Sequence, residues 1–136
     1  MEKRLLIVDD EEPILFAMRE YFEGSGYAVD CAHDERSAGT YLAAGEYAVL
    51  IVDLRLSGFD GEEGLEIIER VRQISPTTRT IMLTAYGSPQ VEARARLLGA
   101  DAFLQKPMPL AKIAEVVVAL IEKMKFKTAG WKRDKR

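Results

Sequence analysis

The chain has 136 residues, 48% of them hydrophobic and 30% charged, with a formal net charge of −3 at pH 7. That is the size and balance of one globular domain with a sizeable core, and no apolar stretch approaches the roughly 18 residues of a membrane span. A single histidine and a single cysteine exclude a histidine metal cluster and an intrachain disulfide, and argue against a histidine-based catalytic triad.

The predicted elements alternate strand and helix five times. Glu2-Lys3-Arg4 precedes a strand-length apolar run and then acids, which is not the pattern of a signal peptide. Arg4–Val8 is the first strand, and Pro13 opens a helix carrying Ile14, Met18 and Phe22 on one face. Gly24-Ser25-Gly26 stops that helix, and Tyr27–Ala32 forms the second strand. Cys31 in this strand reads as a free buried thiol, which fits a reducing cytoplasm, and His33 as a surface residue at the strand end. Asp34 is an N-cap for a short helix ending near Gly45.

Tyr47–Val52 is the most apolar strand and so the central one. Gly61 to Ile74 gives the third helix, with Leu65, Ile68 and Val71 on one face, and Thr80–Leu83 the fourth strand. Ser88-Pro89 supplies an N-cap and first-turn proline for a helix that Gly99 closes. Ala102–Gln105 is the last strand, and Leu110 to about Phe126 the last helix, striped by Leu110, Ile113, Val117, Ile121 and Met124. The structured unit is expected to span 1–126. Residues 127–136 carry five basic side chains against one acid, whereas the preceding 126 carry 14 basic and 21 acidic residues. The segment reads as a basic C-terminal tail or linker remnant with Trp131 exposed in it, and nucleic-acid binding by the domain itself is not expected.

Short aliphatic strands joined by helices imply a parallel sheet between helical layers, with the ligand crevice outside the carboxyl ends of the strands. At those ends stand Asp9-Asp10, Asp53, Thr84 and Lys106-Pro107. Asp9-Asp10 alone could be an N-cap and a solvated acid. Asp53 and Lys106 at equivalent strand ends turn the set toward metal and phosphoryl chemistry. Clustered carboxylates repel and need more than one lysine, and Mg²⁺ is suited to carboxylates, phosphate oxygens and waters. Asp53 is the natural nucleophile for an aspartyl phosphate, Lys106 a compact charge for the phosphoryl oxygens, and Thr84 a hydroxyl donor.

Leu6-Ile7-Val8-Asp9-Asp10-Glu11, Ile51-Val52-Asp53-Leu54-Arg55-Leu56, Met82-Leu83-Thr84-Ala85 and Phe103-Leu104-Gln105-Lys106-Pro107 occur in that order. Together they resemble the receiver domain of two-component response regulators over residues 3 to 124. The resemblance implies a flavodoxin-like (βα)₅ doubly wound sheet of strand order 2-1-3-4-5. It implies that Asp53 is the phosphoacceptor, that Asp9, Asp10, Asp53 and the Arg55 backbone carbonyl hold Mg²⁺, and that Lys106 binds phosphate. Thr84 and Phe103 would be the switch pair, Arg55 and Tyr86 would flank the path of the hydrolytic water, and the Lys106–Pro107 bond would be cis. Ser57 stands where the family usually has proline, so the Leu56–Gly61 loop, with its glycines at 58, 61 and 64, is expected to be more mobile.

The function implied is a phosphorylation-dependent switch that takes its phosphoryl group from a sensor histidine kinase or phosphotransfer protein. Its helix 4/strand 5/helix 5 face would then act on a downstream effector, with room for homodimerisation on activation. Two alternatives are weaker. A Mg²⁺-dependent aspartyl phosphatase usually needs an acid two residues after its nucleophile, where Arg55 stands. A receiver-like binding module that is never phosphorylated typically lacks one of the acids or the lysine.

Overall fold

Leu5–Val8 and Val49–Val52 contain only aliphatic side chains, a composition suited to strands covered on both faces. In the computed structural model these segments lie inside a five-stranded sheet of order β2-β1-β3-β4-β5. The strands are β1 Arg4–Val8, β2 Ala28–Ala32, β3 Val49–Val52, β4 Arg79–Thr84 and β5 Ala102–Gln105, and every pairing is parallel. The helices are α1 Glu12–Gly24, α2 Glu35–Ala44, α3 Glu63–Ile74, α4 Pro89–Leu98 and α5 Leu110–Asp134. The structure describes residues 3–57 and 61–134, with 124–134 as backbone alone. Gly58, Phe59 and Asp60, and the side chains of Met124 and Trp131, lie outside the described residues.

Alternation along the strands divides the core in two. Leu6, Val8, Leu50 and Val52 pack with Leu42 of α2, Leu65, Ile68 and Val71 of α3 and Ala95 of α4. Leu5, Ile7, Val49 and Ile51 pack with Leu15, Met18 and Phe22 of α1 and with Ile113, Val117 and Ile121 of α5. The sheet is thus covered by α2, α3 and α4 on one side and by α1 and α5 on the other. This is the flavodoxin-like arrangement expected from the sequence.

Local chemistry sets the helix ends. Asp34 and Ser37 form a reciprocal capping box at α2, and the Ser88 hydroxyl accepts the Val91 N–H at 3.1 Å at the start of α4. Gly99 ends α4 at φ +130°, a backbone conformation that side chains disfavour. α3 begins at Glu63 rather than Gly61, and α5 continues to Asp134 rather than stopping near Phe126. Lys, Arg and Ala dominate that last stretch, and a lone glycine such as Gly130 costs a helix only about 1 kcal/mol. Cys31 is half-buried rather than buried, its Sγ 3.9 Å from the Leu15 carbonyl, and burial pushes its thiol pKa up. His33 is exposed.

One close approach governs how α3 meets the sheet. Gly64 donates its N–H to the Leu54 carbonyl at 2.9 Å. A Cβ at Gly64 would stand 2.8 Å from Leu54 Cα and closer still to the Asp53 carbonyl oxygen. Gly64→Ala should therefore force α3 off the strand end and cost about 1–3 kcal/mol. Gly24→Ala, where nothing lies within 4 Å, should leave stability unchanged or slightly raised. Urea denaturation of the two variants beside the wild type checks the contrast.

Candidate functional site

Register brings distant residues together. Val8 pairs with Val52, so the next residues, Asp9 and Asp53, leave the sheet side by side. The ladder runs one step beyond the strands: the Asp9 N–H donates to Ala32 at 3.1 Å, that of Asp53 to Val8 at 3.1 Å and that of Lys106 to Thr84 at 2.9 Å. The backbones of these residues are therefore held by the sheet rather than by free loops. Thr84 is itself the last residue of β4 and fully buried.

Lys106 bridges the two buried carboxylates. Its Nζ lies 2.6 Å from Asp9 Oδ2 and 3.0 Å from Asp53 Oδ2. Asp9 and Asp53 are only 3% and 5% exposed. Burial lowers the Lys106 pKa, but its hydrogen bonds to Asp9 and Asp53, with their charges, outweigh burial and hold the ammonium above the ordinary lysine value. Asp9 is less well compensated. Burial raises its pKa, and the Lys106 contact and the Glu11 N–H, at 2.9 Å from Asp9 Oδ1, do not fully reverse this. The lysine is stabilised in its charged form while its partner carries a net desolvation cost, which is the usual asymmetry of a buried pair.

Asp10 is exposed, and carboxylate oxygens of Asp9, Asp10 and Asp53 all lie within 4.8 Å of one another. Asp53 Oδ1 is buried without a hydrogen-bond partner. An orphaned anionic oxygen facing two further carboxylates is the donor set of a hard divalent cation, so the residues fit Mg²⁺.

Around this centre stand the other residues singled out from sequence. Thr84 Oγ1 accepts the Tyr86 N–H at 3.1 Å. The Arg55 guanidinium sits 4.0 Å from the Tyr86 ring centroid, a cation–π stack whose tyrosine remains 48% exposed. Phe103 is half-buried against the core on the α2–α4 side. A Cβ on Gly87 would come within 2.9 Å of Phe103 Cε2, so the loop after Thr84 lies directly on that ring. The Lys106–Pro107 bond is cis. Except for Phe103, which pairs with Met82 inside the sheet, these residues lie at the strand ends or in the adjoining loops.

Two residues at this edge escaped sequence reasoning. Gly64 read only as extra glycine in a loose loop, whereas it is the point where α3 touches the chain at Asp53 and Leu54. Glu63 was not singled out, an acid being favourable at any helix start. Its carboxylate instead accepts the Leu56 N–H at 3.3 Å and the Ser57 hydroxyl. The available signal was the pairing of a serine at position 57 with an acid at the helix start.

Lys106→Met should leave two buried carboxylates facing each other without a cation. Without divalent ions the variant should lose on the order of 3 kcal/mol in urea denaturation. A raised lysine pKa contributes stability that is complete below the ordinary value of 10.5 and lost as pH rises through the folded value. The gap between variant and wild type should therefore hold from neutral pH to about 10.5 and narrow as pH rises beyond it.

Comparison with known proteins places the sequence and its fold. The sequence fits the response regulator receiver domain family over residues 5–118. It is 38% identical over 124 residues to the acid tolerance regulatory protein ActR of Rhizobium meliloti, covering 90% of this chain and 60% of that protein. A CheY-like receiver domain protein from Methanospirillum hungatei superposes with a TM-score of 0.88 at 27% identity, covering 93% of this chain and 99% of that one. A response regulator from Burkholderia pseudomallei, with a phosphorylated aspartic acid, calcium ion and citrate, has a TM-score of 0.80 at 30% identity, covering 94% and 74%. The chain spans 45% to 62% of the length of the curated relatives it matches. With its five-stranded order, its strand-end carboxylates and this match across residues 5–118, the chain belongs to the response regulator receiver domain family.

Proposed function

We propose that the chain is a phosphorylation-dependent switch whose phosphoacceptor is Asp53. The observation that carries this is the buried Asp53 carboxylate with one oxygen on Lys106 and the other unpartnered beside Asp9 and Asp10. A carboxylate oxygen attacks the phosphorus of a phosphohistidine on a sensor kinase or phosphotransfer protein. The P–N bond breaks, its electron pair leaves with the imidazole, and an aspartyl phosphate forms. Such a transfer needs positioning and neutralisation of charge more than covalent help. Asp9, Asp10, Asp53 and the Arg55 carbonyl would hold Mg²⁺, which when bound would supply positive charge near the phosphoryl oxygens. Lys106, already 3.0 Å from an Asp53 oxygen, supplies a second cation. The phosphorylated aspartic acid and calcium ion of the Burkholderia protein support the same reading here.

The readout follows from what crowds Thr84. A phosphoryl group on Asp53 draws the Thr84 hydroxyl from the Tyr86 amide it now accepts from. Gly87 rests on Phe103, so that shift is felt at the ring, which moves inward and remodels the α4/β5/α5 face for an effector or a second copy. No described helix is long and apolar enough to cross a membrane, and the switch acts in the cytoplasm. Residues 1–126 form the receiver unit, and 127–136 continue from it as a basic segment.

Incubated with acetyl phosphate and Mg²⁺, the wild type should gain one phosphate by intact mass, and Asp53→Asn none. Equal labelling of both would refute the assignment. The phosphoprotein should also be long-lived, because the Arg55–Tyr86 stack covers the approach of a hydrolytic water and neither residue is a carboxylate or amide that would orient one. Replacing both, as Arg55→Asn with Tyr86→Glu, removes about 1 kcal/mol of stacking and should speed dephosphorylation several-fold. A decay rate equal to the wild type's would count against shielding.

A further inference from the structure

The peptide group between Arg55 and Leu56 has its two polar ends on different residues. Its carbonyl belongs to Arg55 and its N–H to Leu56. The bond is trans, since the cis peptide found among the described residues is Lys106–Pro107. A trans peptide is planar, with N–H and C=O pointing in opposite directions. Whatever grips the Leu56 N–H therefore aims the Arg55 carbonyl.

That grip comes from Glu63. One carboxylate oxygen accepts the Leu56 N–H at 3.3 Å, and the other accepts the Ser57 hydroxyl. The neighbouring Gly64 N–H holds the Leu54 carbonyl at 2.9 Å. The stretch that follows Asp53 is thus tied on both sides of Arg55 to the first turn of α3. A Cβ on Gly61 would come within 3.0 Å of Glu63 Cδ, so glycine there leaves room for the carboxylate to fold back over the loop.

We propose that Glu63 is a positioning residue of the metal site, locking the Arg55–Leu56 peptide so that the Arg55 carbonyl is presented to the divalent ion. It also gives the loop at Ser57 the rigidity that a proline ring would otherwise provide. The inference rests on the reading of Asp9, Asp10, Asp53 and the Arg55 carbonyl as the metal donors. Losing a partner that orients a metal ligand typically weakens binding by roughly 10–100-fold.

The test is calorimetric titration of MgCl₂ into wild type, Glu63→Ala and Glu63→Gln, together with hydrogen exchange at the Leu56 amide in metal-free protein. Glutamine keeps a side-chain acceptor but loses the charge, so it separates the hydrogen bond from simple electrostatics. Glu63→Ala should bind Mg²⁺ at least about tenfold more weakly and expose the Leu56 amide to faster exchange, while Glu63→Gln should lose less than about tenfold and keep the amide protected. An alanine variant that binds like wild type overturns the proposal. So does a glutamine variant as weak as alanine, which would assign the effect to charge. If the wild type takes up no Mg²⁺, the metal reading itself fails and the positioning role falls with it. Leu56 exchange then shows separately whether Glu63 holds the loop.

Discussion

Asp9 and Asp53 are forced together by the parallel register of β1 and β3, because each directly follows a residue of the pair Val8–Val52. Neither can retreat into solvent without breaking the backbone hydrogen bonds that extend the ladder past the strand ends. Two buried like charges in this position would be strongly unfavourable. Lys106, delivered from the end of β5, makes the arrangement tolerable by touching both carboxylates. The compensation is incomplete, as the raised Asp9 pKa and the unpartnered Asp53 oxygen show. That residual anionic character makes the edge a donor set suited to a hard divalent cation.

The scaffold makes this concentration of charge affordable. Aliphatic strands covered on both faces bury two separate clusters, and the strands between them align the charged ends at one edge. The opposite edge carries an ordinary network in which Arg4 and Tyr47 both contact Asp30 at 2.7 Å. Those contacts hold the strand starts and present no orphaned anion.

Rigidity around Asp53 comes from close backbone approach as much as from side chains. Gly64 lets α3 sit against Asp53 and Leu54, and Gly87 lets the loop after Thr84 sit against Phe103. At Gly64, where the neighbouring atoms are backbone, the contact needs the absence of a Cβ. The two contacts set β3 against α3 and the aromatic of β5 against the loop after Thr84. Thr84, fully buried at the end of β4, has little room to shift without displacing its neighbours.

Much of this was legible in the residues alone. The caps at Asp34 and Ser88 and the convergence of Asp9, Asp10, Asp53, Thr84 and Lys106 follow from local patterns, whereas the strand order came from the family resemblance. Aliphatic runs, capping residues and turn residues act over a few positions, and a parallel sheet then leaves little freedom in where strand ends go. What the sequence could not determine depends on side chains meeting across many positions. Nothing local says that Glu63 turns back to Leu56 and Ser57 instead of facing solvent, or that Arg55 lies on Tyr86. Nor does it reveal that Gly64 is required by the Asp53 carbonyl, because a glycine tolerated for a turn and one demanded by contact look the same in a chain. The end of α5 was missed for the converse reason: a helix former such as Lys or Arg outweighs a single glycine, and the boundary is decided by competition along the whole helix. Sequence pattern determined which groups gather at the edge; only the packed structure decided which of them are satisfied and which are left to bind.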